Sequence, residues 1–164
     1  MEAVKSIAAL LLVLSLTSPV QAQITKLSRN DRIALEQRST IKMLSSTEDF
    51  PPEVVSACRT VTGDHQFWLA KPGARFQATD VVRGLWTLPR RRLIWIAHIG
   101  DYFVVHYEYG GIGLSNHVLV VRSDSRFHSA NVVWSAVGPR LASYSEFIKA
   151  VGENKLDDTL PYYH

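Results

Sequence analysis

Two imidazoles, a carboxylate, a hydroxyl and an indole occur in this chain at spacings that strand geometry can gather into one place. Successive side chains of a strand point to opposite faces, so residues two apart share a face. Gly110 and Gly111 read as a two-residue hairpin turn. Tyr109 then faces Ile112, His106 faces Ser115 and Val104 faces His117, which places His106, Glu108, Ser115 and His117 on one face of the sheet. A preceding turn at Gly100 and Asp101 adds Trp95 and Ala97 to it. Two histidines and a carboxylate are a zinc-ligand set, and a histidine beside a serine is a base beside a nucleophile. Trp95, His106, Glu108, Ser115 and His117 are therefore the expected ligand-binding residues, with His106 or His117 as general base and Glu108 as its orienting partner in a hydrolase or lyase reading. The plainer expectation is that they are the polar side of a sheet whose other side, with Ile94, Ile96, Phe103, Val105, Leu114, Val118 and Val120, is the core; His98 and Asn116 interrupt that core face.

Three other groups carry weaker chemistry. Arg90, Arg91 and Arg92 stand consecutively at a strand entry, where they either face an anionic partner (a lipid headgroup, a polysaccharide, an acidic protein) or discourage edge pairing. The tyrosine-flanked glycines at 110, 111 and 113 form a hairpin tip that can contact another protein, and they lack the strand-loop-helix setting of a phosphate loop. Cys58, the one cysteine, cannot form an internal disulfide and is expected as an inert buried thiol. Asp64 and His65 read as a solvated turn. Gly-x-Ser-x-Gly and His-Glu-x-x-His are absent from the sequence, and neither a cofactor nor a metal is expected.

The elements that must position these residues change character along the chain. Residues 28–44 read as a helix capped by Ser28 or Asn30, with a narrow stripe of Leu27, Ala34, Ile41 and Leu44. A short helix opening on Pro51 and Pro52 follows. From Gln66 the composition turns β-branched and aromatic in short runs separated by glycine and proline, predicting strands at 66–70, 75–82, 92–99, 102–109, 114–122 and 131–137. The tight connections make 92–122 a three-stranded meander. Residues 144–151 predict a helix with Ser143 as cap, Glu146 completing a capping box and Gly152 as stop. This order predicts an α+β domain: an antiparallel sheet of about six strands, N-terminal helices and one C-terminal helix, the helices on one face, with a partly closed barrel as the alternative.

Residues 1–22 predict a signal peptide. Lys5 is followed by the apolar stretch Ile7 to Leu16, and Val20, Gln21 and Ala22 set small residues before Gln23. An apolar stretch of about 10 residues is half of what a spanning helix needs. The expected product is periplasmic or secreted, with residues 23–152 as a single α+β domain and 153–164 as a loosely held tail. Removing the leader takes away one lysine and one glutamate and leaves the net charge at +3. That mild excess does not suggest a nucleic-acid binder. The aromatic content around Trp86, Trp95, Tyr107, Tyr109 and Trp134, expected as exposed contact residues, leads to an exported binding module that holds another envelope or secreted protein, or a small ligand, on a sheet face or at the hairpin tip.

Overall fold

The computed structural model describes residues 26–37, 40–79 and 88–159. Four strands form the predicted antiparallel meander, one strand longer than the three foreseen: β3 (Arg91–Ile99), β4 (Tyr102–Tyr109), β5 (Ser115–Asp124) and β6 (Ser129–Gly138). Two short strands extend the sheet beside β3. β1 (Lys42–Leu44) runs antiparallel to Ile96, Ala97 and His98, and β2 (Leu69–Ala70) runs parallel to Arg91 and Arg92. The helices are α1 (Arg29–Glu36), α2 (Pro52–Thr62) and α3 (Tyr144–Gly152). The fold is α+β with a six-stranded sheet.

Local chemistry sets the helix ends. The Ser28 hydroxyl accepts the Asp31 amide at 3.1 Å and donates to its carboxylate at 2.5 Å, opening α1. Pro52 starts α2, where a missing amide costs nothing, and Gly63 at φ 61° closes it in the left-handed region. Ser143 accepts the Glu146 amide, and Glu146 returns a bond to the Ala142 amide rather than to that of the cap itself.

Helices cover both faces of the sheet, which corrects the one-sided arrangement. Leu35 of α1 and Tyr144, Phe147 and Ala150 of α3 pack on Trp95, Ala97, Val104, Val118, Val120 and Trp134. Val54 and Cys58 of α2, with Phe50 and Phe67, pack on Ile96, Phe103, Val105, Tyr107, Leu119 and Val121. The expected core face is thereby divided, Val118 and Val120 lying under α3 and Phe103 and Val105 under α2. His98 ends half-buried, stacked on Phe103 at 4.3 Å. Trp95, Tyr107 and Trp134, valued in the sequence as contact aromatics, are core residues.

The first predicted helix stops at Glu36, and its Ile41 and Leu44 belong to β1 and its approach, because the β3 edge offers backbone partners that a longer amphipathic helix cannot use. Residues 75–78 form no strand and Thr79 makes one bridge to Gly111; the rest of that predicted strand lies outside the described residues, as do Trp86 and residues 1–22, the expected signal peptide. Beyond α3 the chain is fastened rather than loose as far as Thr159. Leu156 enters the core, Asp157 pairs with Val137, and the Trp134 indole donates to Asp158.

Gly110 does not sit in a two-residue turn. Its amide bonds the Arg90 carbonyl at 2.9 Å, and a Cβ there would stand 2.0 Å from the Gln77 carbonyl oxygen and 2.6 Å from the Ala78 Cα. Gly113 has open space around its added Cβ. Replacing Gly110 by alanine is therefore expected to cost about 3 kcal/mol, the upper end of overpacking, while Gly113→Ala stays within about 0.5 kcal/mol. Urea unfolding of the two variants checks this, and equal midpoints would refute the close approach.

Candidate functional site

The β4–β5 register decides which predicted residues meet. Residues 110–114 connect the strands, so Tyr109 faces Ser115, Tyr107 faces His117, Glu108 faces Asn116 and His106 faces Val118. The connection is three residues longer than a two-residue turn, and an odd shift exchanges the faces of β5 relative to β4. Trp95, His106 and Glu108 stay together on the α1–α3 side. Ser115 and His117 go to the α2 side, so the shared face of five residues, and with it a zinc site drawing on both histidines, is not formed. Among the described residues no three His, Cys, Asp or Glu side chains are grouped to hold a metal ion.

What Trp95, His106 and Glu108 bind is the protein's own β6–α3 connection. The Trp95 indole donates to the Leu141 carbonyl at 2.8 Å, and the Leu141 amide donates to His106 Nε2 at 3.0 Å. Nε2 thus accepts, so Nδ1 carries the proton and donates it to the His117 carbonyl at 2.9 Å. Both ring nitrogens are satisfied with the imidazole neutral and wholly buried. Burial, foremost, and the Arg140 charge hold its pKa below the ordinary 6.5. Such a histidine is a structural clasp. It has no free nitrogen with which to take a proton from a substrate.

Glu108 is gripped from two sides. Arg92 reaches its Oε2 through Nε and Nη2, both at 2.6 Å, and Arg140 donates to Oε1. Arg92 also lies over the Phe76 ring at 4.4 Å. Two guanidiniums on one buried carboxylate fasten β3 and β6–α3 to β4, and they occupy the acceptor sites an orienting base would need.

On the other side, Ser115 Oγ and His117 Nε2 are 2.8 Å apart, a serine–histidine contact. His117 stacks on Tyr107 at 5.4 Å and meets Tyr109 edge-on at 5.8 Å. Burial, then the charges of Arg91 and His106, push its pKa down to about 4. A general base must become imidazolium as the nucleophile attacks, and this surrounding disfavours that form. The contact is present, but its electrostatics run against hydrolysis.

The three consecutive arginines separate. Arg91 is buried on the α2 side, bound to Asp64 at 2.5 Å and set over Tyr109 at 5.0 Å, so Asp64 is an ion-pair partner rather than a solvated turn residue. Its guanidinium lies beside the Tyr107 hydroxyl, whose pKa burial raises. Arg92 serves Glu108, and Arg90 is exposed. Alternation alone sends Arg91 and Arg92 to opposite faces; the β-bulge between Leu93 and Trp95 decides which goes where, putting Arg92 rather than Arg91 on the face of Trp95 and Glu108. No sequence pattern marks this bulge. Cys58 is buried in α2 with its thiol pushed up to about 12, chiefly by desolvation, far from thiolate reactivity.

Sequence reasoning did not find a cleft of about 570 Å³ between the start of α1, the end of α3 and residues 154–159, bordered by Lys26, Arg32, Trp134, Leu156 and Asp158. Its size suits a small ligand. Three of its polar groups are engaged locally: Arg32 with Glu36, Lys155 with Glu153, and Asp158 with Trp134. The hairpin tip differs from all of these places. Ile112 is 102% exposed and Leu114 57%, on a connection whose backbone is braced by the Gly110–Arg90 bond and the Gly111–Thr79 bridge. The chain matches no protein-family model, no curated protein and no solved structure.

Proposed function

We propose that this protein is an exported binding module that meets its partner with the β4–β5 tip, residues 110–114. Export rests on the pattern of residues 1–22, a basic start, an apolar stretch and small residues before Gln23. The binding role rests on elimination and on one positive observation. Helices occupy both sheet faces, and the residues once grouped as a pocket hold Leu141 and Arg140 instead, so neither face is open to a ligand. The observation that carries the reading is the wholly exposed Ile112 on a braced backbone. A single exposed apolar residue is ordinary, whereas two on a tip held in place by a glycine that tolerates no Cβ form a presented contact. A braced tip loses little entropy when it binds.

The test is a photo-crosslinking residue placed at 112 in the protein's own cells, with the equally prominent Phe127 position at the opposite end of the sheet as reference. The expected result is an adduct, polypeptide or lipid, from position 112 and none from 127. An adduct at neither position, or equally at both, would remove the tip from consideration. The hydrolase or lyase alternative keeps one supporting observation, the Ser115–His117 contact, and is disfavoured by the cationic surroundings of His117.

A further inference from the structure

We infer that the partner of this tip is an anionic lipid surface, a proposal that rests on the hairpin reading above. Charge is the first argument. Among the described residues, the segments that meet at this end of the sheet, 71–79, 88–92, 108–116, 138–142 and 155–157, carry Lys71, Arg75, Arg90, Arg91, Arg92, Arg140 and Lys155. Against these seven cations stand four carboxylates: Glu108, buried between Arg92 and Arg140; Asp64, bound to Arg91; Glu146, which accepts from the Ala142 amide; and Asp157, whose backbone pairs with Val137. The contacts that bring the segments together are specific. Gln77 bonds the Pro89 carbonyl, Arg92 bonds the Ala74 carbonyl, Gly110 bonds Arg90, and Arg140 bonds Glu108. At the opposite end Arg122 pairs with Asp31 and Arg126 with Asp124, and Asp101 offsets Lys42. The basic excess is therefore polar in the molecule, gathered where the apolar tip projects.

Shape is the second argument. Ile112 and Leu114 protrude, and a Cβ added at Gly113 meets nothing within 4 Å. Trp68, 48% exposed, immediately precedes Leu69, which pairs with Arg91, and Leu88, 38% exposed, adjoins Pro89. These exposed apolar side chains stand on or beside the segments that carry the arginines. A bilayer interface admits isoleucine, leucine and tryptophan to their own depth while arginines meet the phosphates. Among the described residues no helix is long and apolar enough to cross a membrane.

The protein is tested in the form its own cells accumulate, its N-terminus read by mass spectrometry. It is sedimented with phosphatidylcholine vesicles made with and without phosphatidylglycerol. Retention is expected on the anionic vesicles alone, with release at high salt. Binding should weaken about tenfold or more in I112S/L114S and in R75Q/R90Q, and remain unchanged in F127S. Gly113→Asp, which adds a carboxylate in open space, should weaken it with the thermal unfolding midpoint unchanged. Retention that ignores phosphatidylglycerol, or that survives I112S/L114S and Gly113→Asp, overturns the proposal. If the vesicles retain nothing while position 112 crosslinks to a polypeptide, the lipid partner falls and the hairpin reading stands; if neither experiment captures anything, both fall.

Discussion

Replacing Glu108 by alanine is expected to cost about 3–5 kcal/mol, the range for removing one partner of a buried ion pair. The side chain accepts from both Arg92 and Arg140 and is 5% exposed. Without it the two guanidiniums are left with like charge and no acceptor, and the β6–α3 connection loses one of its three anchors to β3 and β4. The other two are the Trp95 and His106 bonds to the Leu141 backbone. Most of the loss comes from the Arg92 side, which is 27% exposed, because water screens Arg140 at 58%. Glu108→Gln keeps the shape and one acceptor and is expected to lose about half as much. Urea unfolding at neutral pH measures both. A loss below about 1 kcal/mol for the alanine variant would mean that solvent already compensates the charge, as it does for a surface pair.

Acid is expected to destabilise the fold through its buried histidines before the carboxylates titrate. Burial and the Arg91 and His106 charges take His117 from the ordinary 6.5 to about 4, and burial lowers His106 as well. As pH falls below about 6.5, the unfolded chain takes up protons that the folded chain refuses. The stability associated with a depressed histidine is thus fully present above its unfolded pKa and lost as pH falls toward its folded pKa. For His117 the difference between 6.5 and about 4 corresponds to about 3 kcal/mol, lost progressively between about pH 6.5 and 4. His117→Gln retains a polar group for Ser115 and cannot take the proton, so its stability should fall less steeply over that interval. Unfolding midpoints of both proteins at several pH values decide the matter. Parallel curves would show that His117 is not the group responsible.

The elements that survive from sequence to structure are those whose signals are local. α3 begins at Ser143 and runs to Gly152 because its cap, its capping carboxylate and its apolar stripe of Tyr144, Phe147 and Ala150 lie within ten residues of one another. The turn at Gly100 and Asp101 sets the register of β3 and β4 at Ile99 opposite Tyr102, and that register correctly puts Trp95 across from His106. The grouping of Trp95, His106 and Glu108 was legible for this reason. Their occupant was not, because Arg140 and Leu141 stand more than thirty residues further along and reach them only by the path of β5 and β6.

The other half of the candidate site failed on a single loop. Gly110 looked like a turn residue because glycine permits positive φ, but it is glycine because Gln77 and Ala78 pass directly over it. That close approach belongs to a distant segment, so the length of the β4–β5 connection, and hence the face of Ser115 and His117, is not encoded nearby. The two-sided burial was partly readable in retrospect. The run Phe103, Val104, Val105 is apolar without alternation, the mark of a strand covered on both faces. By itself, then, the sequence determined the α+β class, the meander and the positions of α2 and α3, since each follows from residues adjacent in the chain. Tertiary structure alone decided the register of β5, the bulge that puts Arg92 rather than Arg91 on the face of Trp95 and Glu108, and the capture of the polar cluster by Leu141 and Arg140, because a one-residue change in pairing exchanges the faces of a strand and only packing against remote segments selects between them.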